Sequence, residues 1–513
     1  MININYHSCS QVVIEGPELN IIREHFSVKN EAAHFQRRMG RFVPSRTYVI
    51  TNNGKVDVGL VFEIVNFCTD KKIEYTIEEK VTSTLIPSLK KEKVNNYDLS
   101  LSFRDYQQEI INKCINTGRG TVVLATAGGK TLTMAGLLEY YYQNFSKNFK
   151  CLIIVPDLGL VNQTKGDFKE YKTSYTTSKW TGKDELNLSS NVIVANLGIL
   201  QSSKQDISWI EHIDLLIIDE VHKLRRGNKV NKILCKVKTN NRFGFTGTLP
   251  PDNLDAWNIF GKIGPRLYEK MAHELRDEKY VTPARVHVLE INYNTPTNQI
   301  YQGNNSNAFY LQESEFIRSN VYRNNLISKL CKKLDNNALI LVDYIEHGEL
   351  LTAALQEICK KKKVYFIQGS VETDERKRIQ NYMEKKKNIV VVAISKIFST
   401  GINIKNLHYI IFAGGGKAKI KIVQSIGRGL RLHTDKEELI IFDIADNLRY
   451  GQRHVEERLT LYDNEDIKYK FTSYNERSET ETKKEKSQRQ EKTLTPPIGY
   501  AIIPHMSRLP QHS

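Results

Sequence analysis

From residue 101 onward the chain alternates short runs of β-branched residues with longer helical patterns, and it does so twice. Apolar runs separated by about a dozen residues or more of helical pattern cannot close as hairpins, so they pair in parallel beneath covering helices. The first series reads TVVL at 121, CLIIV at 151, VIVA at 192, DLLIID at 214 and RFGF at 242. The pattern breaks over 264–298, which reads as a helix, a strand and a polar connector. It restarts with ALILV at 338, VYFI at 364, NIVVVA at 388, HYIIFA at 408 and LIIFD at 439. The expectation is an α/β fold of two tandem parallel-sheet domains, with no short repeat of solenoid period.

The flanks read differently. Residues 1–95 carry mixed patterning and an apolar run of their own, GLVFEIVNFC at 59, and are expected to form a small N-terminal α/β accessory domain. The two α/β units are placed at 96–290 and 300–450. HVEERLTLYDNEDIKYKF at 454 is expected to be a helix packing back on the second unit, giving a helical extension over 451–472. SYNERSETETKKEKSQRQEK at 473 lacks apolar periodicity and alternates charge, so 473–513 is expected to be a disordered tail.

Lys and Arg number 74 against 58 Asp and Glu, a net +16, and 52 basic against 38 acidic residues fall between 101 and 462. A basic body suits a polyanionic partner, because neutralised phosphates release counterions; a solvated basic surface competes with that reading. Seven cysteines, at 9, 68, 114, 151, 235, 331 and 359, form no CxxC pair, which removes the familiar zinc frameworks and leaves reduced, buried thiols. No apolar run reaches about 18 residues and no basic start leads into an apolar core, so the expectation is a cytoplasmic protein that does not enter membrane.

LATAGGKTLTM at 124–134 lies between a predicted strand and a predicted helix. Consecutive amides of a glycine loop opening a helix cradle anions: Thr126, Ala127, Gly128 and Gly129 line the loop, Lys130 reaches the outer phosphates and the Thr131 hydroxyl can hold Mg²⁺. The full phosphate-loop pattern wants Gly or Ala five residues before Gly129, and Leu124 stands there. IIDEVH at 217–222 ends an apolar run, which brings Asp219 and Glu220 to the carboxyl edge of the sheet, where nucleotides bind in open α/β folds. One carboxylate can coordinate Mg²⁺ and the other can orient or deprotonate an attacking water. In QSIGRGLR at 424–431, Arg428 and Arg431 share a helical face with Gln424 one turn earlier, and guanidinium groups suit the charge of phosphoryl transfer. Each of these segments alone also fits a solvated strand end or a basic helix face.

Together, FRDYQ (103–107), ATAGGKT (125–131), VPDLGLVNQ (155–163), DEVH (219–222), TGT (246–248), FSTGINIKN (398–406) and QSIGRGLR (424–431) resemble the core of superfamily 2 helicases in order, spacing and division over two RecA-like domains. The resemblance implies ATP and Mg²⁺ between the two units. Lys130 and Thr131 would hold phosphate and metal, Asp219 the metal and Glu220 the hydrolytic water, while Gln424, Arg428 and Arg431 approach the terminal phosphate from across the cleft. Gln107, with Arg104 near it, would read adenine. Thr246 and Thr248 would couple hydrolysis to cleft closure alongside His222, which makes the motif DExH rather than DEAD. Pro156 would touch nucleic acid, as would Thr400, with Gly401 beside the nucleotide. Asn403 stands where many relatives carry Asp.

The N-terminal stretch 35–68 and the segments LILVDYIEHGELL (339–351) and GSVETDERKRI (369–379) are similar to the UvsW-type phage DNA helicases. That likeness implies a DNA substrate, in branched, duplex and single-stranded form, and work on Holliday junctions, stalled forks and R-loops (with their RNA) in recombination, repair and replication, carried out in a host cytoplasm. From the residues themselves, Arg37, Arg38, Arg41 and Arg46 lie among Phe35, Phe42 and Tyr48, a mix suited to phosphates and bases. An RNA helicase, and a binding or annealing protein whose nucleotide site is only a switch, are the alternatives. A restriction-type motor is less favoured, since no nuclease constellation of acidic residues and lysine stands in either flank. Both halves of the site lie on one chain, so a working monomer is expected.

Overall fold

The computed structural model describes residues 1–30, 43–85, 99–202, 206–302, 306–369, 373–395, 404–414, 436–464 and 466–476, with the single positions 33, 38, 40 and 371. The N-terminal block contains β1 (Ile2–Ser8), β2 (Gln11–Glu15), β3 (Ser27–Lys29), β4 (Arg46–Tyr48), β5 (Lys55–Asp57) and β6 (Tyr75–Ile77). Four of these form a sheet of order β5-β2-β1-β6, and β3 and β4 pair as a separate antiparallel hairpin. Alternation of buried Ile2 and Ile4 in β1 and of Val12 and Ile14 in β2 gives this sheet one apolar face.

The first α/β unit is built from β7 (Arg119–Leu124), β8 (Cys151–Val155), β9 (Thr177–Trp180), β10 (Val192–Asn196), β11 (Leu215–Asp219), β12 (Arg242–Thr246) and β13 (Arg266–Lys270). Their order is β13-β7-β12-β11-β8-β10-β9, with every pair parallel. Every residue of β7, β8, β11 and β12 is buried, as continuous apolar runs between two helical layers require.

The second unit contains β14 (Ala284–Asn292), β15 (Ala338–Val342), β16 (Lys363–Ile367), β17 (Ile389–Ile394), β18 (Tyr409–Phe412), β19 (Leu439–Asp446) and β20 (Lys468–Asn475). The order is β16-β17-β15-β18-β19-β14-β20, again wholly parallel. Two parallel seven-stranded sheets with a small N-terminal α/β region are thus the architecture.

Three details depart from the sequence reading. The strand β14 pairs with β19 and β20 of the second sheet, so a division at 290 cuts through a strand of the second unit. IKYKF is not helical: the helix Arg449–Asn464 ends first, and β20 then adds a parallel edge strand that runs through Ser473–Asn475, residues expected in the tail. Over 264–298 a strand, β13, precedes the short helix Ala272–Asp277. The rest of the expected tail, 477–513, lies outside the described residues.

The N-terminal block docks on the helix Asn253–Lys262 of the first unit. Trp257 and Phe260 join its apolar cluster, and Phe26 meets Trp257 edge to face at 5.3 Å between ring centres. The backbones approach so closely that a Cβ on Gly261 would stand 2.9 Å from the Asp57 Cβ. Beneath this contact lie Arg119 and Arg242, almost wholly buried. Their guanidinium groups donate to backbone carbonyls, Arg119 Nε to Ile263 at 2.8 Å and Arg242 Nε to Thr239 at 2.9 Å. Burial and the neighbouring Arg242 push the Arg119 pKa down to about 9, and Asp57 pulls the other way. Asp57 also takes Lys262 Nζ at 2.7 Å.

Candidate nucleotide site

Parallel pairing puts the carboxyl ends of β7, β12 and β11 side by side, and the segments leaving them carry the phosphate loop, Thr246 and the Asp219–Glu220 pair. From β7 the chain turns through 125–129 into the helix Lys130–Tyr140. Gly129, the residue before that helix, has φ +83, and Ala127 adopts φ +69, a left-handed conformation that a residue with a Cβ rarely takes. Leu124, at the place where the motif wants a small residue, is fully buried and packs under the loop; a Cβ on Gly128 would stand 2.6 Å from its Cδ1. The large residue is therefore accommodated beneath the turn, and glycine at 128 makes room for it. Lys130 Nζ reaches back to the Leu124 carbonyl at 3.4 Å. It also lies 3.7 Å from Glu220 Oε1.

Asp219 ends β11 and is buried; its Oδ1 accepts the Glu220 N–H at 2.9 Å. Glu220 takes φ +51, another left-handed non-glycine residue. Burial and then the adjacent Glu220 charge push the Asp219 carboxyl well above the ordinary carboxylate range. Burial also pushes Glu220 up, but the Lys130 ammonium and the His222 hydrogen bond outweigh it and hold Glu220 low. His222 Nδ1 lies 2.8 Å from Thr246 Oγ1 and 3.2 Å from Glu220 Oε2. The Thr246 hydroxyl donates to the Thr248 carbonyl at 2.7 Å, so its oxygen accepts from His222, which places a proton on Nδ1. His222 Nε2 is buried without a hydrogen-bond partner among the described residues. The three expected coupling residues, His222, Thr246 and Thr248, thus form one hydrogen-bonded chain that ends on Glu220.

Two desolvated carboxylates facing one lysine leave negative charge that a cation would compensate, so the residues fit Mg²⁺. No cluster of three ligating side chains occurs among the described residues. That suits an ion that keeps several waters and takes its other ligands from phosphate oxygens.

Arg104 and Gln107 open the helix Asp105–Thr117 beneath the phosphate loop. Gln107 is buried; its Oε1 accepts Arg104 N–H at 2.9 Å and its Nε2 donates to the Gly128 carbonyl at 3.0 Å. Both ends of the amide are therefore engaged within the protein, with one lone pair on Oε1 and one N–H on Nε2 left over. Arg104 is likewise occupied: Nη1 donates to Tyr106 Oη at 2.9 Å and Nη2 to the Tyr280 carbonyl at 3.0 Å, with the guanidinium 4.9 Å from the Tyr280 ring centre. Tyr106 was not singled out from the sequence, although it stands between the two residues that were. Thr126 and Thr131 are half-buried in and just after the loop.

Of the expected nucleic-acid residues, Pro156 follows β8 at the same sheet edge, with Asp157 capping the next helix through Leu160 N at 3.0 Å. Arg38 is exposed. Arg46 belongs to β4 and is tied down, with Nε 3.0 Å from Glu24 and 2.9 Å from Ser27 Oγ. Arg37, Arg41, Thr400, Gly401, Asn403, Gln424, Arg428 and Arg431 lie outside the described residues.

Comparison with known proteins adds two family matches. Residues 100–251 match the model "Type III restriction enzyme, res subunit", and residues 322–433 match "Helicase conserved C-terminal domain". The chain is 27% identical over 515 aligned positions to the ATP-dependent DNA helicase uvsW of Enterobacteria phage T4, covering 92% of this chain and 99% of that one. It is 25% identical to the DNA 3'-5' translocase XPB2 of Sulfurisphaera tokodaii, covering 74% of this chain and 88% of the relative. Among solved structures, the ATP-dependent Type ISP restriction-modification enzyme LlaBIII bound to DNA shares the fold at a TM-score of 0.54 and 14% identity, over 76% of this chain and 32% of that one.

Proposed function

We infer, from a chain that carries the superfamily 2 helicase core and resembles the UvsW-type phage ATP-dependent DNA helicases, that it is a DExH-type motor which hydrolyses ATP to translocate on DNA and remodel branched substrates such as Holliday junctions, stalled forks and R-loops. The observation that carries the hydrolytic half is the meeting of Lys130 with Glu220, 3.7 Å apart, at an edge shared by the phosphate loop and the DEVH segment.

Lys130 and the amides of 126–129 bind the outer phosphates, the lysine shifting from Glu220 to the anion. Released from its ammonium partner, Glu220 orients a water and accepts its proton, a role that contributes about 10²–10⁴-fold in rate. Thr131 and Asp219 would hold Mg²⁺, which supplies charge neutralisation on the phosphate oxygens. His222 ties Glu220 to Thr246 and Thr248, so movement of the carboxylate is transmitted to the turn after β12. Gln424, Arg428 and Arg431 are proposed to meet the terminal phosphate from the second unit, with Gly401 near the nucleotide and Thr400 and Pro156 on the nucleic acid. The 27% identity over 92% of the chain to an ATP-dependent DNA helicase of a phage supports DNA rather than RNA as the polymer; the branched substrates, a working monomer and a host cytoplasm belong to the same proposal.

Steady-state hydrolysis by wild type and Glu220→Gln, each with no nucleic acid, single-stranded DNA, a four-way DNA junction and matched RNA, tests this. DNA stimulation greatest with the junction and lost in the variant is the expected result. Preferential stimulation by RNA would move the chain to RNA remodelling, and hydrolysis indifferent to polymer and variant would sink the assignment.

A further inference from the structure

The amino edge of the second sheet carries a charge concentration that the nucleotide chemistry does not use. Three helices, Val321–Lys333, Ile345–Ile358 and Thr373–Lys385, end at this edge before β15, β16 and β17 begin. The turns between them hold Lys332 and Lys333, the run Lys360–Lys363, and Lys385–Lys387. Lys332, Lys333, Lys360, Lys361, Lys385 and Lys386 are all exposed. The acidic residues on the same turns and final helical turns are Asp335, Glu357 and Glu384, and Glu384 is spent on the backbone, accepting Lys405 N–H at 2.5 Å and Asn406 N–H at 3.3 Å. One lysine per helix end is accounted for by the partial negative charge of the terminal carbonyls. Two to four per turn, on three adjacent turns, repel one another within the ~8 Å screening length of physiological salt.

The three turns are also fixed to one another. Asn337, fully buried ahead of β15, donates through Nδ2 to Met383 O and Lys386 O, each at 2.8 Å, and accepts Ile389 N–H at 3.0 Å. Lys362 Nζ donates to the Leu334 carbonyl, tying the second turn to the first. A like-charged surface held in place needs only side-chain ordering when an anion arrives.

The edge is the amino end of these strands, opposite their carboxyl ends. The strand β15 has five residues, so at about 3.3 Å per residue its two ends are roughly 16 Å apart. Its carboxyl end leads to Asp343, and the carboxyl end of β17 leads toward the segment FSTGINIKN.

We propose that the lysines at the amino edge of β15, β16 and β17 form a second DNA-docking surface, which holds the phosphate backbone of a duplex segment separate from the strand the motor tracks. The chemistry favours duplex: the turns 329–337, 358–364 and 384–388 hold no aromatic residue, and the neighbouring Tyr382 ring is already taken up by Lys363, whose Nζ lies 4.9 Å from its centre, so lysines rather than open rings meet the anion. Lysines present point charges to a backbone that carries one phosphate per about 1.7 Å of helix axis. A motor that grips a second arm in this way keeps two segments of a branch on one protein. The proposal rests on the reading of the chain as a DNA motor.

The test compares wild type with the fourfold variant Lys360→Ser, Lys361→Ser, Lys385→Ser, Lys386→Ser and with the same four positions as Arg. The salt dependence of duplex binding, capture of a second labelled duplex by preformed protein–DNA complex, and ATPase stimulation by single-stranded DNA are measured. The serine variant is expected to lose capture and to flatten the log–log salt slope by about 2–4, with single-strand-stimulated ATPase unchanged and capture restored by arginine. Unchanged slope and capture overturn the proposal. So does loss of binding to phosphatidylserine vesicles with DNA capture intact, which assigns the patch to an anionic membrane surface. Wild-type ATPase indifferent to single-stranded DNA overturns the motor reading instead, a result independent of the slope and capture readouts.

Discussion

The Tyr106 phenol donates a 2.7 Å hydrogen bond to the Gly128 carbonyl while accepting one of 2.9 Å from Arg104 Nη1. Through Arg104 Nη2 and the Tyr280 carbonyl the same chain reaches the segment that leads into β14, the first strand of the second sheet. The phosphate loop is therefore tied to the connection between the two units through one buried tyrosine.

Tyr106→Phe removes the hydroxyl and keeps the ring packing. Gly128 O retains Gln107 Nε2 as a second donor, so the loss is bounded by one net hydrogen bond, about 0.5–1.5 kcal/mol. The KM for ATP is expected to rise about 3- to 10-fold with kcat changed less. A fall in kcat of about a hundredfold at constant KM would place the phenol in the chemistry rather than in holding the loop.

Asp219→Asn should separate stability from activity as a function of pH. Burial and the Glu220 charge push Asp219 up to about 7, above the ~3.9 of an unfolded aspartate. Its protonated form thus contributes stability that is complete below about pH 4 and is lost as pH rises through 7. Glu220 shifts the other way, so its contribution disappears only as pH falls through its lowered value and is constant between pH 5 and 8. Asparagine removes the buried charge, so the ligand-free variant is expected to gain more in Tm at pH 8 than at pH 5 while ATPase is abolished. Equal gains at the two pH values would contradict the upward shift.

Asp57→Asn should loosen the N-terminal block. The substitution leaves Lys262 without its 2.7 Å partner and removes the carboxylate that opposes the burial of Arg119. Breaking a buried pair from one side costs about 3–5 kcal/mol. Lys262 is buried and Asp57 about one-fifth exposed, so the low end of that range applies. A lower urea midpoint is the expected result; an unchanged midpoint would show that the apolar contact through Trp257 suffices.

The strands of both sheets that stand in the sequence as uninterrupted apolar runs were legible, because burial on both faces leaves no polar alternation. The edge strands β9, β13 and β20 were not: Lys468–Asn475 is mostly exposed, so its pairing comes from β14 rather than from its own composition. The membership of β14 was hidden for another reason, since periodicity states that a segment is a strand but not which sheet it joins. At the site, Lys130, Asp219, Glu220, His222 and Thr246 were legible as motif residues whose strands end at a common edge. The internal engagement of Gln107 and Arg104 was not, because a polar side chain reads identically whether its partner is a ligand or the Gly128 carbonyl. Arg119 and Arg242, whose charge gives no sign of burial in the sequence, are buried at the opposite edge of the same sheet.

The N-terminal arginines divide into two kinds. Arg46 is held by Glu24 at 3.0 Å and Ser27 Oγ at 2.9 Å, and Glu24 also accepts the Tyr48 hydroxyl at 2.7 Å, so its charge is largely answered within the block around β3 and β4. Arg38 is exposed. If this block grips DNA, Arg38→Ala should weaken binding about equally across sequences and reduce the salt slope by about 1. Arg46→Ala should leave the slope nearly unchanged and instead lower the Tm, since it removes the guanidinium contacts to Glu24 and Ser27 Oγ. Equal slope losses for both would mean that Arg46 leaves Glu24 for phosphate when DNA binds, and no slope change for either would remove this block from the DNA interface.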